Sequence, residues 1–193
     1  RNELKLKGAY FCTSAESDRL AKVIFLGKQR MNPDRVGQSP EVLAGLAQFS
    51  IPPKTRILVS EETEIGWHRP LSAEKLNPVL AFYVANDEGH ALELANNIAK
   101  FEGWGHSSVV HSNDPKIVAK FASIPTGRVL VNTPAILGGM GYSTDLEPSF
   151  MLGTGTWSGS ITSDNVTALH LINIKRVAYE SRPWRDIYEE YGE

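Results

Sequence analysis

Between Thr55 and Asn132 the chain alternates β-rich runs with helix-patterned stretches, and this alternation restricts the fold more than any other feature. Thr55–Val59 (TRILV) reads as a strand, and Val79–Val84 (VLAFYV) is a continuous apolar run that suits a strand covered on both faces. Asp87–Phe101 sets Ala91, Leu94, Ala95 and Ile98 on one helical face behind a capping Asp87. Ser108–His111 then reads as a brief strand, Pro115–Ala122 as a short helix and Arg128–Asn132 (RVLVN) as another strand. Strands joined by helical crossovers pair in parallel, so the pattern predicts an α/β fold with a largely parallel sheet and flanking helices. Upstream, helices are predicted over Thr13–Lys28, with Leu20, Val23 and Ile24 apolar, and over Pro40–Gln48, where Ser39 caps and Pro40 occupies the first turn.

The character changes after Thr133. Pro134–Ser163 holds Gly138, Gly139, Gly141, Gly153, Gly155 and Gly159 with few helix formers, which predicts a long ordered loop region of the kind that carries function. His170–Val177 (HLINIKRV) reads as a strand remote from the others and suited to a partner chain, and Trp184–Tyr191 as a polar terminal helix. The expected division is a catalytic portion over 1–160 and an oligomerisation segment over 161–193.

A chain of 193 residues with 41% hydrophobic content can bury a core without staples. Its 20 basic and 22 acidic residues leave a net charge of −2, and no Lys/Arg-rich run offers a footprint for nucleic acid. No stretch approaches the roughly 18 apolar residues of a membrane span. The single cysteine excludes a disulfide framework and a zinc site built on Cys pairs. The chain begins at Arg1 without a signal-like apolar segment, and it is expected to be a piece of something longer.

Several catalytic patterns fail on context. Ser72-Ala-Glu-Lys75 and Ser163-Asp-Asn165 match two of three penicillin-recognising motifs, but no K-T-G strand follows and Pro78 interrupts the helix that Ser72 should begin. Gly153-Thr-Gly-Thr-Trp-Ser-Gly159 misses the G-x-G-x-x-G spacing and precedes no strong helix. The five histidines form neither H-E-x-x-H nor an i, i+4 pair, so no metal is expected. Cys12 lies among Tyr10 and Phe11 with no neighbouring base, the setting of a small buried hydrophobe. His106, between Gly105 and Ser107 at a strand mouth, can project into a cleft or simply be a bonded loop histidine. Glu74, ahead of the apolar run, can accept two hydrogen bonds from a ribose diol or be a solvated turn residue.

A resemblance runs through Val36-Gly-Gln-Ser-Pro40, Pro70-Leu-Ser-Ala-Glu-Lys-Leu-Asn-Pro78 with Val79–Tyr83, Gly105-His-Ser-Ser108, Arg128–Pro134, Gly138-Gly-Met-Gly141, Leu152–Trp157, Ser163–Val166 and His170–Val177. In order and spacing these segments resemble the acylating, coenzyme A-dependent aldehyde dehydrogenases, including the aldehyde-dehydrogenase half of aldehyde–alcohol dehydrogenases and sulfoacetaldehyde-type enzymes. The resemblance implies the last part of a longer oxidoreductase that turns an aldehyde, coenzyme A and NAD or NADP into an acyl-coenzyme A through a cysteine thioester. The family's nucleophile falls upstream of Arg1, so Cys12 is not assigned that role and the isolated chain is expected to be inactive. By the same resemblance Glu74 binds the ribose beside nicotinamide, Leu76 packs by the ring, His106 faces the active cavity, and Gly139, Thr154 and Gly155 line the acyl pocket. Thr154 stands where relatives often carry cysteine, which leaves the acyl group open. The resemblance further implies a homo-oligomer through the 170–177 strand, in the cytoplasm or inside a bacterial microcompartment. Beside it stand a noncatalytic assembly module of the same descent and a free-standing thiol enzyme pairing Cys12 with His106.

Overall fold

The computed structural model describes every residue except Lys28 and Glu193. Helix α1 (Asn2–Leu6) leads through Gly8 into strand β1 (Ala9–Phe11), and helix α2 (Ser14–Ile24) follows. Thr13 starts α2 with a capping box: its hydroxyl accepts the Glu16 N–H, and the Glu16 carboxylate takes the Thr13 N–H at 2.7 Å. The helix stops at Ile24, short of the predicted end, because Phe25 turns extended and pairs with Met31 in a hairpin of β2 (Phe25–Leu26) and β3 (Arg30–Met31). The predicted terminus at Lys28 lies outside the described residues. Helix α3 (Pro40–Leu46) begins on the Ser39 cap and Pro40 as read from sequence.

Strand β4 (Ile57–Glu61) is the centre of a parallel sheet ordered β1-β4-β5, where β5 is Val79–Phe82 and Leu58 faces Val79 in register. Helix α4 (Glu88–Glu102), capped by Asp87, crosses to β6 (Ser107–Val110). Helix α5 (Pro115–Phe121) returns the chain to β7 (Arg128–Val131), parallel to β6, with Ser107 opposite Arg128. The expected α/β architecture with parallel pairing is present, divided into a three-stranded and a two-stranded sheet plus the hairpin.

The core gathers where α2 and α3 cover the first sheet. Leu20, Ile24, Leu43, Leu58 and Leu71 are fully buried there, each removing about 1.5–3 kcal/mol of side-chain exposure from water. Around the second sheet the buried apolar residues are Val110, Ile124 and Leu130, and much apolar surface stays open.

Three expectations need correction. The 79–84 run is not covered on both faces: Leu80 is 39% and Val84 61% exposed, and among the described residues β5 is also the edge strand of its sheet. The 134–163 region is not all loop, because Pro134 starts helix α6 (Ala135–Gly139). Gly138 is a packing requirement there, since a Cβ on it would come 2.5 Å from the Thr133 methyl. The 170–177 strand forms no ladder among the described residues. Ala168–Leu171 is one 3-10 turn capped by Thr167, and the backbone turns extended at Ile172 with Ile174 and Val177 exposed. Among the described residues no strand pairs with this exposed segment, which leaves its N–H and C=O groups open to solvent or to another chain. Helix α7 (Trp184–Tyr191) ends the described chain with the predicted boundaries.

Candidate functional site

After α4 the backbone turns through Trp104 and Gly105 to His106 at the mouth of β6. Gly105 has φ +75, and a Cβ there would lie 2.0 Å from the Thr154 carbonyl oxygen, so only glycine allows this approach. Gly127 closes the same junction from the other strand: its N–H donates to the His106 carbonyl at 3.0 Å, and a Cβ would meet the Gly105 carbonyl at 2.4 Å. The Gly153-Thr154-Gly155 segment is itself ladder-like, with the Gly153 N–H on the Asp164 carbonyl and the Gly155 N–H on the Thr162 carbonyl, both at 2.9 Å. Arg128, the first residue of β7, ties these pieces together. Its Nη2 donates to the carbonyls of Gly153 and Ser163, each at 2.8 Å, and its Nη1 to Ser107 Oγ at 3.2 Å. Burial lowers the guanidinium pKa against the pull of Asp164. It stays charged, and its remaining hydration is replaced by carbonyl oxygens.

Beside this junction a pocket of about 300 Å³ is lined by Thr126, Gly127, Thr154–Trp157 and Ile161–Ser163. Trp157 meets Trp104 edge to face at a 5.4 Å centroid separation. The His106 ring is exposed, with Nδ1 3.4 Å from the Trp104 carbonyl oxygen. Gly139 sits buried in α6, its carbonyl accepting the Asn165 amide at 2.8 Å. The structure therefore sets the backbone of Thr154 against Gly105, the neighbour of His106, and puts Thr154 and Gly155 in one pocket wall; Gly139 is not in that wall and packs near Leu152 and Leu130.

Glu74 and Leu76 are presented from the first sheet. Beyond β4, the buried Glu62 carboxylate (2% exposed) pairs with Arg69 Nε at 2.7 Å and accepts the Ser60 hydroxyl at 2.6 Å. The Arg69 carbonyl holds the Ser72 hydroxyl at 2.7 Å, and Ser72 Oγ accepts the Gly66 N–H at 3.0 Å. The Lys75 ammonium donates to the carbonyls of Leu71 at 2.6 Å and Ala73 at 2.8 Å. Burial pushes the Lys75 pKa down to about 8, although Glu62, Glu102 and Glu74 pull the other way. This scaffold leaves the Glu74 side chain exposed with no hydrogen-bond partner among the described residues, while its N–H donates to Glu102 Oε2 at 2.8 Å. Leu76 adopts the left-handed region (φ 48), uncommon for a branched side chain, and is 54% exposed. The Asn77 amide behind it is buried with both polar atoms unpartnered. Glu102 ends α4, on the segment that leads to His106, so it connects the two groups of site residues.

Cys12 belongs to the core. Its N–H bonds the Val59 carbonyl at 2.8 Å, and burial together with the nearby Glu16 carboxylate pushes the thiol up to about 12. That is the reverse of an activated nucleophile, as its sequence setting indicates. Sequence reasoning overlooks Arg128, Glu102 and the Trp104–Trp157 pair. A cation opening an otherwise apolar strand at Arg128 is the one local signal among them, because a charge there needs a buried partner.

No protein-family model matches the chain. It is 39% identical over 184 residues to an aldehyde-alcohol dehydrogenase of Clostridium acetobutylicum, covering 92% of this chain and 21% of that protein. It is 30% identical over 204 residues to a sulfoacetaldehyde dehydrogenase (acylating) of Bilophila wadsworthia, covering 98% of this chain and 44% of that one. Among solved structures, an acetylating aldehyde dehydrogenase from Geobacillus thermoglucosidasius superposes with a TM-score of 0.88 at 41% identity, over 94% of this chain and 40% of its own. The chain thus spans from about a fifth to under half of the length of these relatives.

Proposed function

We propose, from the premise that the homologues of this chain are acylating aldehyde dehydrogenases, that it forms part of an enzyme converting an aldehyde, coenzyme A and NAD(P)+ to acyl-coenzyme A, NAD(P)H and a proton. The observation that carries this reading is the continuity of the likeness, 92% of the chain at 39% identity, through the glycine junction that packs Gly105, the neighbour of His106, against Thr154. A cysteine outside this chain supplies the thiolate that adds to the aldehyde carbon, and coenzyme A later releases the acyl group as its own thioester.

The residues present fit a nicotinamide dinucleotide. Glu74 offers an exposed carboxylate without an internal partner on a loop pinned by Lys75, Ser72 and Glu102, an arrangement suited to two adjacent ribose hydroxyls. Leu76 offers an exposed apolar face beside it for the nicotinamide ring. NAD(P), when bound, accepts the hydride. His106 stands exposed beside the pocket, free to take the proton of the incoming thiol or to donate a hydrogen bond to the oxyanion. Thr154 and Gly155 bound the acyl group, with Gly139 behind them.

Residues 161–193 form the assembly segment in this reading. Ile172, Ile174 and Val177 are exposed on a chain without a ladder, which favours addition to the sheet of a second copy to make a homo-oligomer. Among the described residues no helix is long and apolar enough to cross a membrane. The proposed location is the cytoplasm or a bacterial microcompartment.

The test is NAD(P)H formation from acetaldehyde and coenzyme A by full-length protein, with mass spectrometry of the acylated cysteine. Dependence on coenzyme A, and no turnover by residues 1–193 alone, is the expected result. Coenzyme A-independent oxidation to the free acid would overturn it.

A further inference from the structure

We infer that the pocket formed by Thr126, Gly127, Thr154–Trp157 and Ile161–Ser163 selects a short aldehyde carrying a hydroxyl on the carbon next to the carbonyl, with Thr154 as the specificity-determining residue. This rests on the reaction proposed above and names its substrate class.

The lining decides the chemistry. Thr126, Thr154, Thr156, Thr162 and Ser163 bring five hydroxyls to about 300 Å³, and Trp157 and Ile161 are the large apolar members. Internal bonds do not use these hydroxyls up. Ser158 Oγ reaches two acceptors with its one proton, Thr154 Oγ1 and the Gly155 carbonyl at 3.2 Å; with that proton on Thr154 Oγ1, the Thr154 proton is available to an acceptor in the pocket, and a donor that already accepts is strengthened. Thr162 Oγ1 accepts the Asp164 N–H at 3.0 Å and likewise keeps its proton. Thr156 and Ser163 have no side-chain hydrogen bond among the described residues. Thr126 pairs with Ser108 at 2.9 Å and completes the polar wall.

An alkyl chain entering here would displace water from these hydroxyls and return no hydrogen bond, whereas a substrate hydroxyl both accepts from Thr154 and donates onward. An anionic tail is disfavoured, because no Lys, Arg or His lines the pocket and the neighbouring guanidinium of Arg128 is already engaged with the carbonyls of Gly153 and Ser163. A volume of about 300 Å³ is ample for a two- or three-carbon aldehyde. The pocket lies beside the loop that carries His106, because Gly105 seats against the Thr154 backbone and Gly127, in the pocket wall, bonds the His106 carbonyl.

Glycolaldehyde and propionaldehyde form a near-isosteric pair that differs in one hydroxyl. In the full-length enzyme, kcat/KM with coenzyme A and NAD(P) is expected to favour glycolaldehyde by on the order of tenfold. Thr154→Val should bring that ratio to about one, and Thr154→Ser should retain it. A parallel titration with the unreactive amides glycolamide and propionamide, followed by tryptophan fluorescence, should show the same preference and the same loss. An equal or reversed preference in both assays, or a ratio that Thr154→Val leaves intact, overturns the inference. Binding preference for glycolamide without turnover of either aldehyde would instead sink the dehydrogenase reading and leave the pocket chemistry standing. Turnover of both aldehydes without preference does the opposite.

Discussion

The backbone N–H of Glu74 donates to Oε2 of Glu102 at 2.8 Å, so one carboxylate, at the end of α4, holds the loop on which another stands free. The bond is exposed to solvent, so its contribution is modest, about 0.5–1.5 kcal/mol, and what it holds is the backbone from which Glu74 projects. In the full-length enzyme Glu102→Ala is expected to raise the KM for NAD(P) several-fold, with a smaller change in the aldehyde KM. Glu74→Gln should weaken the cofactor further. Cofactor titrations of both variants check this, and unchanged cofactor KM values would count against the role of Glu74.

The buried Cys12 thiol, raised to about 12, should be nearly unreactive at neutral pH. Native full-length protein treated with iodoacetamide and digested should carry little label on Cys12, and Cys12→Ser should keep the acylating activity. Activity that vanishes in Cys12→Ser while the variant stays folded would restore the thiol-enzyme reading.

Gly105→Ala sets a Cβ 2.0 Å from the Thr154 carbonyl and forces alanine to φ +75. The backbone conformation alone costs about 1–2 kcal/mol, and separating the two loops adds to it. A lower melting temperature together with a raised aldehyde KM is the expected outcome. A variant as stable and as active as the parent would show that the junction is looser than its geometry indicates.

Lys75 gives stability a pH dependence of known sign. Its pKa is about 8 in the fold against an ordinary lysine value of 10.5, so the unfolded chain holds the proton more tightly. Stability contributed by this group therefore rises with pH between those values and levels off above them. Melting temperatures of wild type and Lys75→Met across pH 7 to about 10.5 should diverge in favour of wild type as pH increases. A difference that is flat, or that shrinks, contradicts the burial of this ammonium.

Truncation after Leu169 removes exposed Leu171, Ile172, Ile174 and Val177. Size-exclusion chromatography with light scattering of full-length and truncated protein should show a smaller assembly for the latter. An unchanged mass would place the subunit contact elsewhere.

Elements whose stabilising contacts are local are legible in the sequence. The Ser39 cap with Pro40, Asp87 ahead of α4, and Asp114 with Pro115 at α5 each spend a side chain on N–H groups within three residues, and those helices lie where they are read. Strand β1 escapes notice because three residues make a strand only through their ladder to β4. His170–Val177 shows the converse, since strand composition produces no ladder in the absence of a neighbour. Thr154 and Glu74 are identifiable through the resemblance, but Arg128 and Glu102 are not, because their importance lies in hydrogen bonds 25 and 28 residues distant in sequence.

Residue order and local chemistry are enough to read the α/β class, the capped starts of α2, α3, α4 and α5, and the kinship with acylating aldehyde dehydrogenases. The close approaches between distant segments come from the three-dimensional path of the chain. Gly105 against Thr154, Arg128 across Gly153 and Ser163, and Glu74 on Glu102 are set by where the chain returns between distant positions, which no single segment encodes.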